Sequence, residues 1–472
     1  MKVHLSAICG TAMASLAGLL RERGHEVTGS DQDVYPPMST QLEALGIPIR
    51  SPWAEANVPE GADLVVIGNA LSRGNPEVEA VLDRRQRYTS LPGLLAEEFL
   101  RPRMSLVVAG THGKTTTTSL LAFLLHRGGL DPSFLVGGVP VDFGRSYRLG
   151  RGPHFVIEGD EYDCAFFDKR PKFVHYLPNV AIVGNVEFDH ADIYPDLAAV
   201  KTAFVRLLQV IPRGGLLVAG TESPALVEIL PYARCRVETF GLHAEADWWG
   251  VDVRSVEGGS RFRLVRKGSD QGEFTIPMAG EHNVKNALAA LAVAAEAGVE
   301  PGAVREALAS FQGVKRRLEL RGEVKGVTVY DDFAHHPTAV AATLAALKRP
   351  GAGGRLVAVF EPRSYTSRTR VFQDGFARAF AAADRAYVAA AHLPGKVPEA
   401  ERLSEADLVE AIGRQGGEAI FLPTVKAIVS ALAAELRPGD RVAILSNGGF
   451  GGIHEKLLQA LAEARGASKP TP

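Results

Sequence analysis

The sequence predicts an α/β protein of three domains. Two observations carry that prediction. Apolar β-type runs alternate with helix-period segments along nearly the whole chain, and one stretch near residues 248–278 switches to apolar–polar alternation with Gly-rich turns. Alternating β and α elements bury a parallel sheet between helix layers. Strict alternation instead marks half-exposed antiparallel strands. A length of 472 residues accommodates three domains at roughly 150 residues each.

In the first unit, residues 1–102, KVHLSAI (2–8) is a strand that ends at Gly10. Residues 12–23 carry apolar side chains at helical spacing and stop at Gly24, a helix-stop signal. HEVTGSD (25–31) and DLVVIGN (63–69) are further strands, and 76–87 is a helix. This is a Rossmann-like pattern, closed by the turn signal Arg101-Pro102-Arg103. The central unit, 103–313, opens with SLVVAG (105–110) and a helix from Lys114. Strands follow at 154–160 and 180–185, then the antiparallel stretch, then helices at 283–297 and 302–311. The third unit, 314–472, has strands at 327–333, 355–361, 383–389 and 440–446 with helices between them, a second Rossmann-like pattern. The tail GASKPTP (466–472) has the composition of a disordered end.

Composition excludes some function classes. The formal net charge is −2, from 52 basic and 54 acidic residues, so no electrostatic case exists for a nucleic-acid or membrane-surface binder. Cys9, Cys164 and Cys235 are scattered, with no metal-ligand spacing, as expected of reduced thiols in the cytoplasm. MKVHLSAICG lacks a signal-peptide layout, and no run of ~20 apolar residues offers a membrane span.

The strongest local signal is Gly110-Thr111-His112-Gly113-Lys114-Thr115-Thr116, between a buried strand and a helix. Such a turn aims backbone N–H groups and a helix N-terminus at phosphate oxygens. Lys114 then reaches the β/γ-phosphates of ATP, and the Thr115 hydroxyl binds Mg²⁺. Val108 stands where the general phosphate-loop pattern has Gly. The central unit is therefore of the P-loop ATPase type, with a parallel sheet plus a small antiparallel sheet.

Glu158 ends the strand 154–160 and emerges at the carboxyl edge of the sheet, where ligands bind in such folds. With Thr115 it offers oxygen ligands to a hard cation. In the cluster Glu158, Asp160, Glu161 and Asp163, Asp160 and Asp163 serve either the ion or local ion pairs. His190, after the strand 180–185, is a candidate second Mg²⁺ ligand. Asn283 and Asn286 lie on one helix face and offer the donor–acceptor amides that adenine recognition needs, although Asn283 also suits a helix cap. In Lys315-Arg316-Arg317 a guanidinium either crosses a domain junction to the γ-phosphate or belongs to a solvated hinge. Asp331, Asp332, His335 and His336 end a strand of the third unit and suit ribose hydroxyls and phosphoryl oxygens; His336, before Pro337, also suits a helix cap.

These residues resemble the Mur ligase family. The family pattern is GTxGKT[ST], a strand-end Glu, NxxxDH, HNxxNA, a paired Arg and DxxH. Here it reads as Gly110–Thr116, Glu158, Asn185–His190, His282–Ala287, Arg316/Arg317 and Asp332/His335. The stretches 29–40, 68–82, 161–176 and 446–458 resemble the branch that adds a preformed peptide; FEPRSYTSRTR (360–370) keeps some similarity to the branch that adds L-alanine.

The resemblance implies an ATP-dependent ligase. It would join the tripeptide L-alanyl-γ-D-glutamyl-meso-diaminopimelate to UDP-N-acetylmuramate through an acyl phosphate, in recycling of cell-wall peptide. It implies that Gly10, Asp31 and 68–76 hold the UDP-sugar, and that the third unit holds the peptide, with Arg363 on a carboxylate. Lys114, Arg317, His335 and Mg²⁺ supply positive charge. Glu158 and His190 are metal ligands, Asn286 contacts adenine, and Asp332 contacts ribose. Some relatives carry a carbamylated Lys where this chain has Val205 with Lys201 offset, so that feature is not expected.

Overall fold

The computed structural model describes residues 1–34, 38–348, 353–393, 395 and 397–463; the tail 466–472 lies outside them. Three sheets organise the chain. The first runs in the order Ile49–Arg50, Glu26–Ser30, Lys2–Ser6, Leu64–Ile67, Tyr88–Ser90, all parallel. The reversal on either side of Lys2–Ser6 creates a crevice at the strand ends, as in doubly wound sheets. Strands at both edges, Ile49–Arg50 and Tyr88–Ser90, are too short to show a period in the sequence.

The central sheet has ten strands. Its parallel core orders Arg236–Gly241, Leu216–Gly220, Val180–Val183, Met104–Ala109, His154–Glu158 and Ser133–Leu135. The antiparallel stretch becomes Trp248–Val256, Gly259–Arg266 and Ser269–Ile276. These strands extend the parallel sheet, because Trp248 pairs with Phe240 and so satisfies the open edge of Arg236–Gly241. Helix Lys114–Arg127 is buried from Thr115 to Leu125 and packs on helix Glu281–Glu296, whose run Ala287–Ala294 is also buried. Small alanines let the two helices approach, which brings the phosphate loop and Asn286 together.

The third sheet orders Glu319–Val324, Val327–Asp332, Arg441–Leu445, Leu356–Phe360, Arg385–Val388 and Ala419–Phe421, parallel except for the first pair. It joins the central unit through an antiparallel bridge between Pro140 and Val314 and a bond from Lys315 N to Val139 O. Among the described residues, no helix is long and apolar enough to cross a membrane.

Candidate active site

Strand Met104–Ala109 feeds a turn whose two glycines have left-handed φ, 131° at Gly110 and 83° at Gly113. Gly113 caps helix Lys114–Arg127. A Cβ there would lie 2.6 Å from Asn286 Oδ1, so only glycine fits. Asn185 holds the loop from the neighbouring strand: its Oδ1 accepts from His112 N at 2.8 Å and its carbonyl from Thr111 N at 3.0 Å.

Lys114 does not reach into open space. Its Nζ donates to Gly110 O at 2.8 Å and sits 2.9 Å from both oxygens of Glu161, whose side chain is 2% exposed. Burial pulls the Lys114 ammonium down, but Glu161 and Asp160 outweigh it and hold it above the usual range. Glu161 also meets His190 Nε2 at 3.0 Å, while His190 Nδ1 bonds Tyr162 Oη at 2.8 Å. Burial lowers His190, and Glu161 more than reverses that. Glu161 is thus the hub of the cluster, a role its position in an acidic run did not reveal.

Glu158 Oε1 accepts from Thr115 Oγ1 at 3.0 Å, and Oε2 from Gly137 N at 2.7 Å. Arg317 Nη2 donates to Thr115 Oγ1 at 3.1 Å. Burial pushes the Glu158 carboxyl above the usual range, and Gly137, Lys114, Arg317 and Thr115 offset this only partly. A buried carboxylate short of positive charge beside a hydroxyl oxygen is a donor set that suits Mg²⁺. His190 is bonded to Glu161 instead, so Thr115 and Glu158 form one pair and His190 stands apart. Asp160 pairs with Lys172 and Asp163 with Lys169, both as ion pairs.

Asn286 Nδ2 donates to Asn283 Oδ1 at 3.2 Å, and Asn283 Nδ2 to Ala279 O at 2.8 Å. Gly280, not Asn283, caps this helix. Both paired arginines line the cleft, but of the two it is Arg317 that bonds the phosphate-loop residue Thr115. Arg316 is spent on the carbonyls of Ser446 and Gly448, at 2.6 and 2.7 Å. Asp332 accepts from Leu318 N, Ala334 N and Thr343 Oγ1, so it shapes the loop around the cleft. His335 bonds Phe333 O through Nδ1 at 3.1 Å, and burial, above all, brings it down to about 4. In the nucleotide-free cleft burial therefore disfavours the charged ring.

His336 accepts from Thr338 N and caps helix Pro337–Leu347. Asp189 accepts from Thr366 Oγ1 at 2.6 Å and Glu187 Oε2 from Thr338 Oγ1 at 2.6 Å; both bonds join the central and third units. Thr366 and Glu187 carry no motif signal beyond their neighbours.

One cleft of about 940 Å³ gathers these groups. Thr111 to Thr116, Glu158, His190, Asn283, Asn286, Arg317, Asp332 and His335 all line it; Gly110 does not. Lys201 pairs with Glu228 at 2.8 Å, on the surface. Asp31 accepts from Cys9 N at 2.8 Å and so organises the loop containing Gly10. Arg363 lies against Gly448, 3.8 Å from Glu361.

Three family models match in sequence: the Mur ligase family, catalytic domain, over residues 2–101; the Mur ligase middle domain over 108–294; and the Mur ligase, glutamate ligase domain over 316–448. The chain is 44% identical to the UDP-N-acetylmuramate–L-alanyl-γ-D-glutamyl-meso-2,6-diaminoheptandioate ligase of Escherichia coli (strain K12), covering 99% of this chain and 100% of that one. It is 36% identical to a UDP-N-acetylmuramate–L-alanine ligase of Burkholderia cenocepacia, covering 98% of each. Among solved structures, a murein peptide ligase from Psychrobacter arcticus matches with TM-score 0.72 and 39% identity, covering 99% of this chain and 100% of that one. With three family domains in order and full-length relatives above 40% identity, the chain belongs to the Mur ligase family.

Proposed function

We propose that this chain is an ATP-dependent ligase that joins L-alanyl-γ-D-glutamyl-meso-diaminopimelate to UDP-N-acetylmuramate, releasing ADP and phosphate. One observation carries the reading. Over nearly its full length the chain is 44% and 42% identical to two enzymes named for that reaction, against 36% for an L-alanine-adding enzyme. Accepting a preformed tripeptide is the chemistry of recycling, not of stepwise synthesis.

The cleft supports a two-step reaction. The muramoyl carboxylate takes the γ-phosphoryl group of ATP, and ADP leaves. The amine of the peptide's alanine then attacks the acyl phosphate, and phosphate leaves as the amide forms and the amine loses a proton. Mg²⁺ held by Thr115 and Glu158 would offset phosphate charge. Lys114, released from Glu161 as nucleotide enters, faces the β/γ-phosphates, and Arg317 approaches them from the third unit. Both are preorganised charges where negative charge accumulates. His335, with its Nδ1–H on Phe333 O, keeps a lone pair on Nε2 and is suited to accept a hydrogen bond that orients the incoming amine. Asn286, against Gly113, faces the nucleotide. Docking of the third unit on Asp189 and Glu187 brings the reactants together in one cavity.

The test is incubation of the chain with UDP-N-acetylmuramate, ATP, Mg²⁺ and the tripeptide, followed by mass spectrometry. The expected product is the UDP-sugar enlarged by the tripeptide less one water. No such product with all substrates present overturns the assignment.

A further inference from the structure

The cleft contains a second group of metal-binding side chains, apart from Thr115, Glu158 and His190. His112 comes from the phosphate loop, Glu187 from the segment after strand Val180–Val183, and His336 from the cap of helix Pro337–Leu347 in the third unit. Their ligand atoms all lie within 4.8 Å of one another. His112 Nε2 is 3.4 Å from Glu187 Oε2, and His336 Nδ1 is 3.9 Å from the same oxygen. Ligands on one tetrahedral zinc are spaced roughly 3.3 Å apart, so the first edge already has that spacing.

The geometry around the donors suits a metal. His336 Nε2 bonds Phe188 O at 3.1 Å, which places the proton there and leaves the lone pair on Nδ1, towards Glu187. A backbone carbonyl behind the ring is the usual orienting partner of a ligating histidine. The competing bond from Thr338 N to Nδ1 is long, at 3.3 Å. Burial, chiefly, brings His336 down to about 4, so the ring is neutral. Burial raises Glu187, but its neighbours, His112 first and then Thr338, more than offset that and hold the carboxyl below its usual range. His112 Nε2 is buried and has no hydrogen-bond partner among the described residues. Its neighbour there is Glu187 Oε2, at 3.4 Å, too poorly directed for a hydrogen bond.

We propose that His112, Glu187 and His336 form a site for a late first-row transition-metal ion, of the zinc class, that ties the third unit to the phosphate loop. Two imidazoles and one carboxylate favour such an ion over Mg²⁺. Two ligands belong to the central unit and one to the third, so a bound ion holds the units closed. It fastens the interface that the Thr366–Asp189 and Thr338–Glu187 bonds already define. Binding does not depend on the ligase reading; inhibition of turnover by the ion, through blocked opening, does.

The test is titration of the untagged, nucleotide-free full chain with Co²⁺ alone. One equivalent binds with the visible absorption of four-coordinate cobalt, Zn²⁺ displaces it, and excess Mg²⁺ does not. His336→Asn keeps an acceptor for Thr338 N and so preserves the helix cap. Both it and Glu187→Gln weaken Co²⁺ by more than about tenfold, the least that loss of even an outer-shell partner costs. Glu158→Gln does not. Absence of the absorption, or a change below tenfold in both His336→Asn and Glu187→Gln, overturns the site. Small-angle scattering that shows no Zn²⁺-dependent compaction overturns the tie between units, whatever the activity.

Discussion

Replacing Glu161 by Gln removes the charge that the fold places between Lys114 and His190. Both Glu161 oxygens lie 2.9 Å from Lys114 Nζ, and the carboxylate is almost fully buried. Breaking one side of a buried ion pair costs about 3–5 kcal/mol. Deprotonation of Lys114, which burial favours, limits the loss to the lower end. At about 2–4 °C per kcal/mol for a domain of this size, the melting transition of the nucleotide-free chain falls by about 6–12 °C. ATP phosphates then restore the missing counter-charge to Lys114, whereas in the parent chain they must first take Lys114 from Glu161. Saturating Mg²⁺ and a non-hydrolysable ATP analogue therefore raise the melting temperature of Glu161→Gln more than that of the parent. Scanning calorimetry with and without the analogue reads both quantities. A nucleotide-free transition within about 2 °C of the parent, or equal shifts on adding the analogue, refutes the view of Glu161 as the internal counter-ion of the phosphate-loop lysine.

Three further outcomes follow from particular contacts. Gly113→Ala puts a Cβ at a left-handed position 2.6 Å from Asn286 Oδ1; at about 1–2 kcal/mol this weakens binding of the ATP analogue roughly tenfold by calorimetric titration, and unchanged affinity would contradict the loop geometry. Thr366→Val strips the buried Asp189 of a 2.6 Å donor across the unit interface, at about 1–3 kcal/mol, and faster amide exchange over residues 364–369 and 187–190 is the expected readout. The first unit loses stability as pH falls from about 6.5 to about 4. His4, brought down to about 4 by burial and then Arg50, stays neutral when folded but takes a proton when unfolded. The slope is about 1.4 kcal/mol per pH unit, with no effect above that window and none further below it. Urea melts of His4→Gln lack this slope; the same slope in the variant would assign the effect to another group.

The sequence made the central strands and their loops legible because each couples a fully apolar run to a sharp turn. Met104–Ala109, His154–Glu158 and Val180–Val183 begin and end close to where the pattern places them. Short edge strands such as Tyr88–Ser90 and Ala419–Phe421 stayed invisible because three residues carry no period. The antiparallel stretch was legible as strands but not as an extension of the parallel sheet, since pairing of Phe240 with Trp248 is a tertiary choice. In the site, residue types identified Lys114, Glu158 and Asn286. They could not separate Arg317 from Arg316, because only the fold turns one guanidinium to Thr115 and the other to the carbonyls of Ser446 and Gly448. Nor could they show that burial between two units disfavours the charged form of His335.

The most direct test of the account is phosphate release from ATP, followed with UDP-N-acetylmuramate and either the tripeptide or free L-alanine. The account predicts phosphate release with the tripeptide, at a kcat/KM far above that with L-alanine, and none when UDP-N-acetylmuramate is omitted. Efficient release with L-alanine and none with the tripeptide would contradict it.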